Sequence, residues 1–459
     1  MKKLITLLLT LVATLVLVAC GPSSSEGTEG ETIDFSERYQ KGVTIRVWID
    51  DEDGAYMERI IEEFNKIYPN IHVQHQHKGS VDAREHLKTF GPSGNGADVF
   101  QFPHDHLAQA VLEDLVLPLP TATAELVRER SHQLGVDIAT LYYDEDTGSF
   151  DPNNPNAVER LYAVPMSVEA VGLYYNIDLL DKLVDMEIAE TNEPVTTYEE
   201  LIRQAKLWNE SPVSETDTRT NAIAGNFFYG TTSHWADSYF IQHIYSAFKF
   251  TPFGPDLNDH SRVGFEDLEP ALTWMREELK PITTGNGDHN SVGGGGLFEA
   301  GSIPYVLGGP WNSEGFKNNN INFGVAKLPS INGEETQPFA GAMMAAVYKY
   351  SDNAEAATRF VEFLSSDIAM QLQYEMKQKL PALNQELLAN IPGVLEDQAM
   401  NAMSIQLEDA VPMPTIPQVT YYWGPGETMV ISIWNASADI AAAVVEAETS
   451  YRTLAKLTS

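Results

Sequence analysis

From position 43 the chain alternates, with Val43, Ile45 and Val47 apolar and Thr44 and Arg46 polar, which is the period-two pattern of a half-buried strand. The period then changes. Tyr56, Ile60, Ile61, Phe64 and Ile67 fall at helical spacing, and Pro69-Asn70 stops the run before a second strand, Ile71-His72-Val73-Gln74. Ala97 to Phe102 reads as another strand and Leu107 to Leu115 as a short helix. This rhythm predicts parallel strands joined by crossover helices. After a polar, turn-rich stretch from Asp144 to Asn156, two hydrophobic strand-like runs between Leu161 and Asn176 flank an acidic residue, Glu169. Helical spacing continues over Tyr198 to Asn209, Leu268 to Leu279, Ala354 to Leu364 and Ser437 to Leu457. Gly293 to Gly296 reads as a flexible loop; no Lys-Ser/Thr follows it, so a phosphate-binding loop is not supported.

The stretch before position 43 has a different character. Lys2 and Lys3 precede an uncharged, mostly apolar run from Leu4 to Val18, too short for a comfortable membrane span, and the pattern is that of an export signal. It ends in Leu17-Val18-Ala19-Cys20-Gly21, which resembles a bacterial lipobox. That resemblance implies removal of residues 1–19, lipidation of Cys20 and anchoring on the outer face of the cytoplasmic membrane. Residues 20–40, rich in Ser, Gly and Glu after Pro22, are expected to be a flexible tether.

Composition narrows the function classes. The 459 residues include 65 Asp and Glu against 29 Lys and Arg, a net charge of −36, and this acidity argues against binding to nucleic-acid backbones. A single cysteine excludes an intramolecular disulfide framework and any multi-cysteine metal site. Asp50-Asp51-Glu52-Asp53-Gly54 is dense in acids but in neither register, counted from Asp50 or from Asp51, has both the Gly and the Glu of a calcium loop. His75 with His77, and His104 with His106, have no spacing that makes them converge on a metal.

Several segments then occur in a telling order: Trp48 to Gly54; Phe102-Pro103-His104-Asp105-His106; Pro165 to Ala170 followed by Leu173-Tyr174-Tyr175-Asn176; Gly308-Gly309-Pro310-Trp311; Pro338-Phe339-Ala340-Gly341; and Met413 to Gln418 with Trp423 shortly after. Together they resemble the extracellular solute-binding proteins of ABC importers, and within them the maltose/maltodextrin-binding proteins. The resemblance implies an α/β, periplasmic-binding-protein-like fold of two lobes with a three-segment hinge and a ligand cleft between them. The N-terminal lobe would take residues 41–167 plus 341–391 and the C-terminal lobe 168–340 plus 392–459. Hinge crossings would fall near Ser167-Val168, Ala340-Gly341 and Ile391-Pro392. Maltose or maltodextrin would bind in the cleft, the lobes would close on it, and the loaded form would be presented to the membrane permease subunits of an ABC importer. No cofactor, metal or catalytic residue is implied.

The residues at these positions suit a sugar on chemical grounds too. A pyranose has C–H faces and a hydroxyl rim, so a site needs flat aromatic rings and charged acceptors at their edges. Trp311 and Trp423 are the leading stacking candidates, with Phe102 and Trp235 behind them; Glu169, Asp105, Glu52 and Glu85 are the candidate hydroxyl partners. Each has a plainer reading. A Trp in a Gly-Pro-Trp turn can plug a core, Glu169 can sit in a structural salt bridge, and the other three acids can be solvated charges. Several positions depart from the family pattern: Glu52-Asp53 stands for an Asp-Lys pair, His106 for an Arg, Arg84 beside Glu85 for one of two glutamates, and Glu427 for an Arg after the last Trp. Trp235 lies in the stretch Ser233 to Tyr239, where the family has a cleft Tyr. These departures leave the exact sugar open. Another oligosaccharide is one alternative, and a secreted glycoside hydrolase using Glu169 and Asp105 as its carboxylate pair is another.

Overall fold

The computed structural model describes residues 42–210, 227–230, 235–283 and 294–457. The expected signal and tether, including Cys20, lie outside them, as does Gly293. Strand β1 (Val43–Ile49) runs parallel to β2 (Ile71–His77) and to β3 (Val99–Pro103), with helices α1 (Ala55–Ile67) and α2 (Ser80–Phe90) as the crossovers that the change of period predicts. Gly54, at φ 78°, turns the chain into α1. Buried Asp51 then accepts from the Met57 amide at 2.9 Å, satisfying one donor that a helix start leaves open. Tyr56, Met57, Ile60 and Phe64 form the inner face of α1, and Phe64 sits edge-on to Phe360 and Phe363 with centroids 5.1 and 5.4 Å away.

Downstream, α3 (Leu107–Leu112) leads to β4 (Val116–Leu117), and β5 (Thr140–Tyr143) pairs with β6 (Val158–Leu161) as a separate antiparallel hairpin. The two apolar runs around Glu169 become β7 (Val164–Ala170) and β8 (Gly172–Asn176), buried at every position. They enter different sheets. A second sheet, ordered β11-β8-β10-β9, combines β8 with β9 (Phe228–Gly230), β10 (Tyr305–Gly308) and β11 (Phe323–Ala326). The long β12 (Phe339–Tyr348) returns to the first sheet, antiparallel to β3, β4 and β7 and parallel to the short β13 (Val411–Pro412). The architecture is therefore mixed α/β in two lobes, as expected.

Helices α4 (Ile177–Asp185), α5 (Tyr198–Glu210) and α6 (Ser238–Ala247) accompany the second sheet, and α7 (Ala354–Leu364) and α8 (Asp367–Lys377) accompany the first. Helix α9 (Gln398–Glu408) touches β7, β8 and β11, and α10 (Trp423–Ala436) with α11 (Ile440–Leu454) closes the second core. That core draws on Val171 to Phe339 and again on Met413 to Tyr451. The chain consequently passes between the lobes beside Val171, at Phe339-Ala340, and beside β13, which pairs with those same two β12 residues. Among the described residues no helix is long and apolar enough to cross a membrane.

One local expectation needs correction, and another, the helix over Leu268 to Leu279, is present with a local widening. Residues Gly294–Glu299 form a short helix where a glycine loop is expected, because Leu297 and Phe298 are buried beside it and Phe298 packs 4.6 Å from Phe316, which overrides the weak helix propensity of glycine. The helical run from Glu269 widens into a π-type turn at Met275–Leu279.

One core interaction carries a pH dependence. In the second lobe His243 is fully buried, its Nδ1–H donating to the Phe240 carbonyl at 2.8 Å while Nε2 accepts from the Tyr198 hydroxyl at 2.7 Å. Burial pushes its pKa down from 6.5 to about 4. The unfolded chain takes up this proton near pH 6.5 and the folded chain does not, so the stabilisation is complete above that value and is lost as pH falls toward 4. A His243→Gln variant should show a urea-midpoint slope between pH 6.5 and 4 that is shallower by about one proton per molecule than that of the unaltered protein. An unchanged slope in parallel urea titrations would contradict this.

Candidate functional site

The passes between the lobes bring several strand ends to one place. Glu169, next to last in β7, lies directly opposite Gly341 of β12, and Met343 on the same strand pairs with Pro103 at the end of β3. Beyond Pro103 the chain tightens into a 3₁₀ turn, His104–His106. The Ala342 amide donates to His104 Nδ1 at 3.1 Å, which puts the imidazole proton on Nε2. Around these elements lies a cavity of about 670 Å³, walled from the first sheet by Asp50, Asp105, Glu169 and Lys379, and from the other side by Tyr239, Trp311 and Trp423.

The position of Gly341 matters physically. A Cβ there would stand 3.0 Å from the Tyr239 hydroxyl, 3.3 Å from Glu169 Cγ and 3.4 Å from His104 Cε1, so three cavity side chains converge where only hydrogen fits comfortably. Opposite, Trp311 is held in the Pro310–Asn312 turn, where Asn312 Oδ1 accepts from the Gly309 amide at 3.0 Å. The indole lies over Gly309 so closely that a Cβ would approach its ring to 2.2 Å. Trp311 remains 37% exposed, next to Tyr239 and Phe240 with centroids 6.3 and 6.1 Å away. Trp423 begins α10 and donates from Nε1 to Asp105 Oδ2 at 3.1 Å, a bond between residues 318 positions apart.

Several buried polar atoms of the cavity are left without a protein partner among the described residues. Glu169 is 8% exposed, and its Oε2 has no hydrogen-bond partner among the described residues; the same holds for His104 Nε2 and the Tyr239 hydroxyl. Burial raises the Glu169 carboxyl above the ordinary carboxylate range, against the pull of Lys379 and with a further push from Asp105. Burial likewise holds His104 and His106 below the usual imidazole range. Burial first, then the nearby Glu169 and Asp105, drive the Tyr239 hydroxyl well upward. Desolvated donors and acceptors with no protein partner are the equipment for binding a hydroxylated guest. Among the described residues no three His, Cys, Asp or Glu gather closely enough to hold a metal ion.

Of the residues expected at the site, Trp311, Trp423, Glu169 and Asp105 line this cavity, and four others do not. Phe102 is completely buried in β3 and stacks on Phe100 at 4.8 Å, because alternation along a central strand turns it into the core. Trp235 is 2% exposed and belongs to the second core between Phe228 and Trp434; its neighbours Ala236 to Tyr239 line the cavity instead. Glu52 is exposed just past the end of β1, and the carboxylate lining the cavity there is Asp50, which accepts from the Ser80 amide and hydroxyl at 3.2 Å. Glu85 pairs at 2.7 Å with Arg84, itself bound to Glu113, on α2 away from the cavity lining. Sequence reasoning missed Tyr239, Asp50 and Lys379. For Tyr239 the family pattern of an aromatic in that stretch was a usable signal, whereas Lys379 had none.

Residues 49–371 match the family model of the bacterial extracellular solute-binding proteins. Similar curated proteins include the galactooligosaccharide-binding protein of Bacillus subtilis (strain 168), 26% identical over 95% of this chain and 94% of its own length. Another is a maltooligosaccharide ABC transporter solute-binding lipoprotein of Streptococcus pneumoniae, 23% identical over 98% and 96%. Among solved structures, MalX from Streptococcus pneumoniae in complex with maltopentaose superposes with a TM-score of 0.72 at 20% identity, covering 89% of this chain and 100% of that one. A cyclo/maltodextrin-binding protein complexed with maltotetraose gives 0.67 at 22% identity, covering 93% and 98%.

The raised Glu169 pKa fixes the sign of a pH effect. A carboxyl that holds its proton more tightly when folded adds nothing unfavourable below the unfolded value and weakens the fold as pH rises toward the folded one. Ligand-free Glu169→Gln should therefore melt at a higher temperature than the unaltered protein at pH 8, with the gap closing toward pH 4. Differential scanning fluorimetry across that range tests it, and a gap independent of pH would refute the assignment.

Proposed function

This chain belongs to the bacterial extracellular solute-binding proteins, and from that premise we propose that it is the oligosaccharide receptor of an ABC importer, taking maltooligosaccharides into the cavity between its lobes. The observation that carries this reading is the meeting of two tryptophans from distant chain segments, Trp311 and Trp423, with buried donors and acceptors that lack protein partners among the described residues. Aromatic faces stack on the C–H faces of a pyranose, and Asp105, Glu169 and the Tyr239 hydroxyl meet its rim. Affinity is all that such a receptor needs. The work of transport falls to separate permease and ATP-hydrolysing subunits.

In this reading the lobes hinge-close on the sugar, turning about the passages beside Val171, at Phe339-Ala340 and beside β13, and present the closed form to the permease. Lipidated Cys20 tethers the receptor to the outer face of the membrane, consistent with the word lipoprotein in the name of the Streptococcus pneumoniae relative. A second reading has its own support: the Bacillus subtilis relative is a galactooligosaccharide-binding protein, and a galactoside presents the same kinds of face and rim. A hydrolytic role for Glu169 and Asp105 is separable by experiment, since incubation with maltodextrin would then release reducing ends.

Thermal-shift measurements with maltotriose, maltotetraose and β-1,4-galactotriose decide between the sugars, because a ligand that binds only the folded state raises its melting temperature. Truncating Trp311 or Trp423 to alanine should weaken binding of the preferred oligosaccharide by about 1–3 kcal/mol, the range of a binding hot spot, with little change in ligand-free melting. Unaltered calorimetric affinity in both variants would remove the cavity from consideration.

A further inference from the structure

We propose that Lys379 is a specificity-determining residue of this cavity, donating from its ammonium to a ligand oxygen beside the acceptor that Glu169 offers; this rests on the oligosaccharide reading above. The case begins in the backbone. Helix α8 ends at Lys377, and Gln378 takes a left-handed conformation at φ 53°, an αL cap that reverses the chain direction. Lys377 and Lys379, on either side of that cap, have different fates. Lys377 Nζ reaches Asp51 Oδ1 at 3.2 Å, where the acid is 1% exposed and also holds the start of α1, so this lysine is consumed in structure. Lys379 lines the cavity.

The segment after Lys379 is tied down. Val168 donates to the Leu380 carbonyl at 3.1 Å and Ala382 donates to the Met166 carbonyl at 3.3 Å, which fastens residues 380–382 alongside β7. Lys379 therefore leaves the backbone close to Glu169, and its charge acts to lower the Glu169 pKa. Among the described residues no carboxylate lies within ion-pairing distance of the Lys379 ammonium, and no acceptor takes a hydrogen bond from it. Nor does Glu169 Oε2 have a partner. A donor and an acceptor left open on the same cavity lining match two sugar hydroxyls, one accepting from the amine and one donating to the carboxylate.

The surroundings sharpen the inference. Among the described residues that line the cavity, Lys379 is the one Lys or Arg, against Asp50, Asp105, Glu169, Asp237 and Glu427. A polar pair reads hydroxyl geometry more strictly than an aromatic face does, since a misplaced hydroxyl leaves desolvated groups unmatched. Lys379 thus bears on which sugar is accepted as well as how tightly.

The test uses isothermal titration of the full chain with maltotriose and with β-1,4-galactotriose, for the unaltered protein, Lys379→Met, Lys379→Arg and Lys377→Met. We expect Lys379→Met to weaken binding of the preferred trisaccharide at least about tenfold, to narrow the ratio between the two sugars, and to leave ligand-free melting within a degree or two. Lys379→Arg should recover most of the affinity, while Lys377→Met should lower the melting temperature with affinity kept. Equal affinity of Lys379→Met and the unaltered protein would overturn the inference while leaving the oligosaccharide reading intact. Absence of binding to either trisaccharide by the unaltered protein, with longer oligosaccharides equally inert, would overturn both.

Discussion

A side chain at position 341 would crowd three cavity groups at once, and the arrangement of the cavity is built around that bare position. Gly341 sits on the fully buried β12, paired with Glu169, and the Tyr239 hydroxyl, the Glu169 stem and the His104 ring all close to within 3.4 Å of where a Cβ would stand. The same strand places Phe339 in the second core and pairs with β3, β4 and β7 of the first sheet. One strand thus fixes both the passage between lobes and the floor of the site. Its interior is apolar for packing and its single bare position is bare for approach.

The cavity chemistry opposes the stability of the empty protein. Each buried donor or acceptor without a partner costs on the order of 1–3 kcal/mol, and Glu169, His104 and Tyr239 each leave one such atom open. A guest that brings hydroxyls meets those needs, so the unfavourable term of the empty state becomes a favourable term of the loaded state. A direct tie across the site, from the Trp423 indole to Asp105, joins the amino-terminal sheet to the carboxy-terminal helices. That bond places an aromatic face next to a carboxylate, the pairing that a sugar ring requires.

Much of the fold was legible in the residues, because its signals are local. The switch from alternation at Val43–Val47 to helical spacing at Tyr56–Phe64 marks the first β-α unit, and the apolar runs around Glu169 mark the two strands that part into separate sheets. The site was legible in part. Trp311 and Asp105 sit in short turns whose sequence carries a pattern, but Phe102 and Trp235 are equally aromatic and point into cores, since facing is decided by strand register and helix packing. A difference of two residues separates exposed Glu52 from cavity-lining Asp50, below the precision with which a strand end can be placed from sequence. Lys379 was invisible because its direction is set by the left-handed residue before it and by pairing with β7, both tertiary facts.

The Trp311 indole is pressed onto the backbone of Gly309, and the turn beneath it is closed by Asn312. Its ring has little rotational freedom left to lose when a guest arrives, so the ordering entropy of that contact has already been settled in folding. A platform of this kind adds affinity chiefly by slowing escape rather than by hastening arrival. In the proposed role, holding cargo until a membrane partner is met, dwell time is the quantity that decides delivery, and a glycine that need never touch sugar helps to set it.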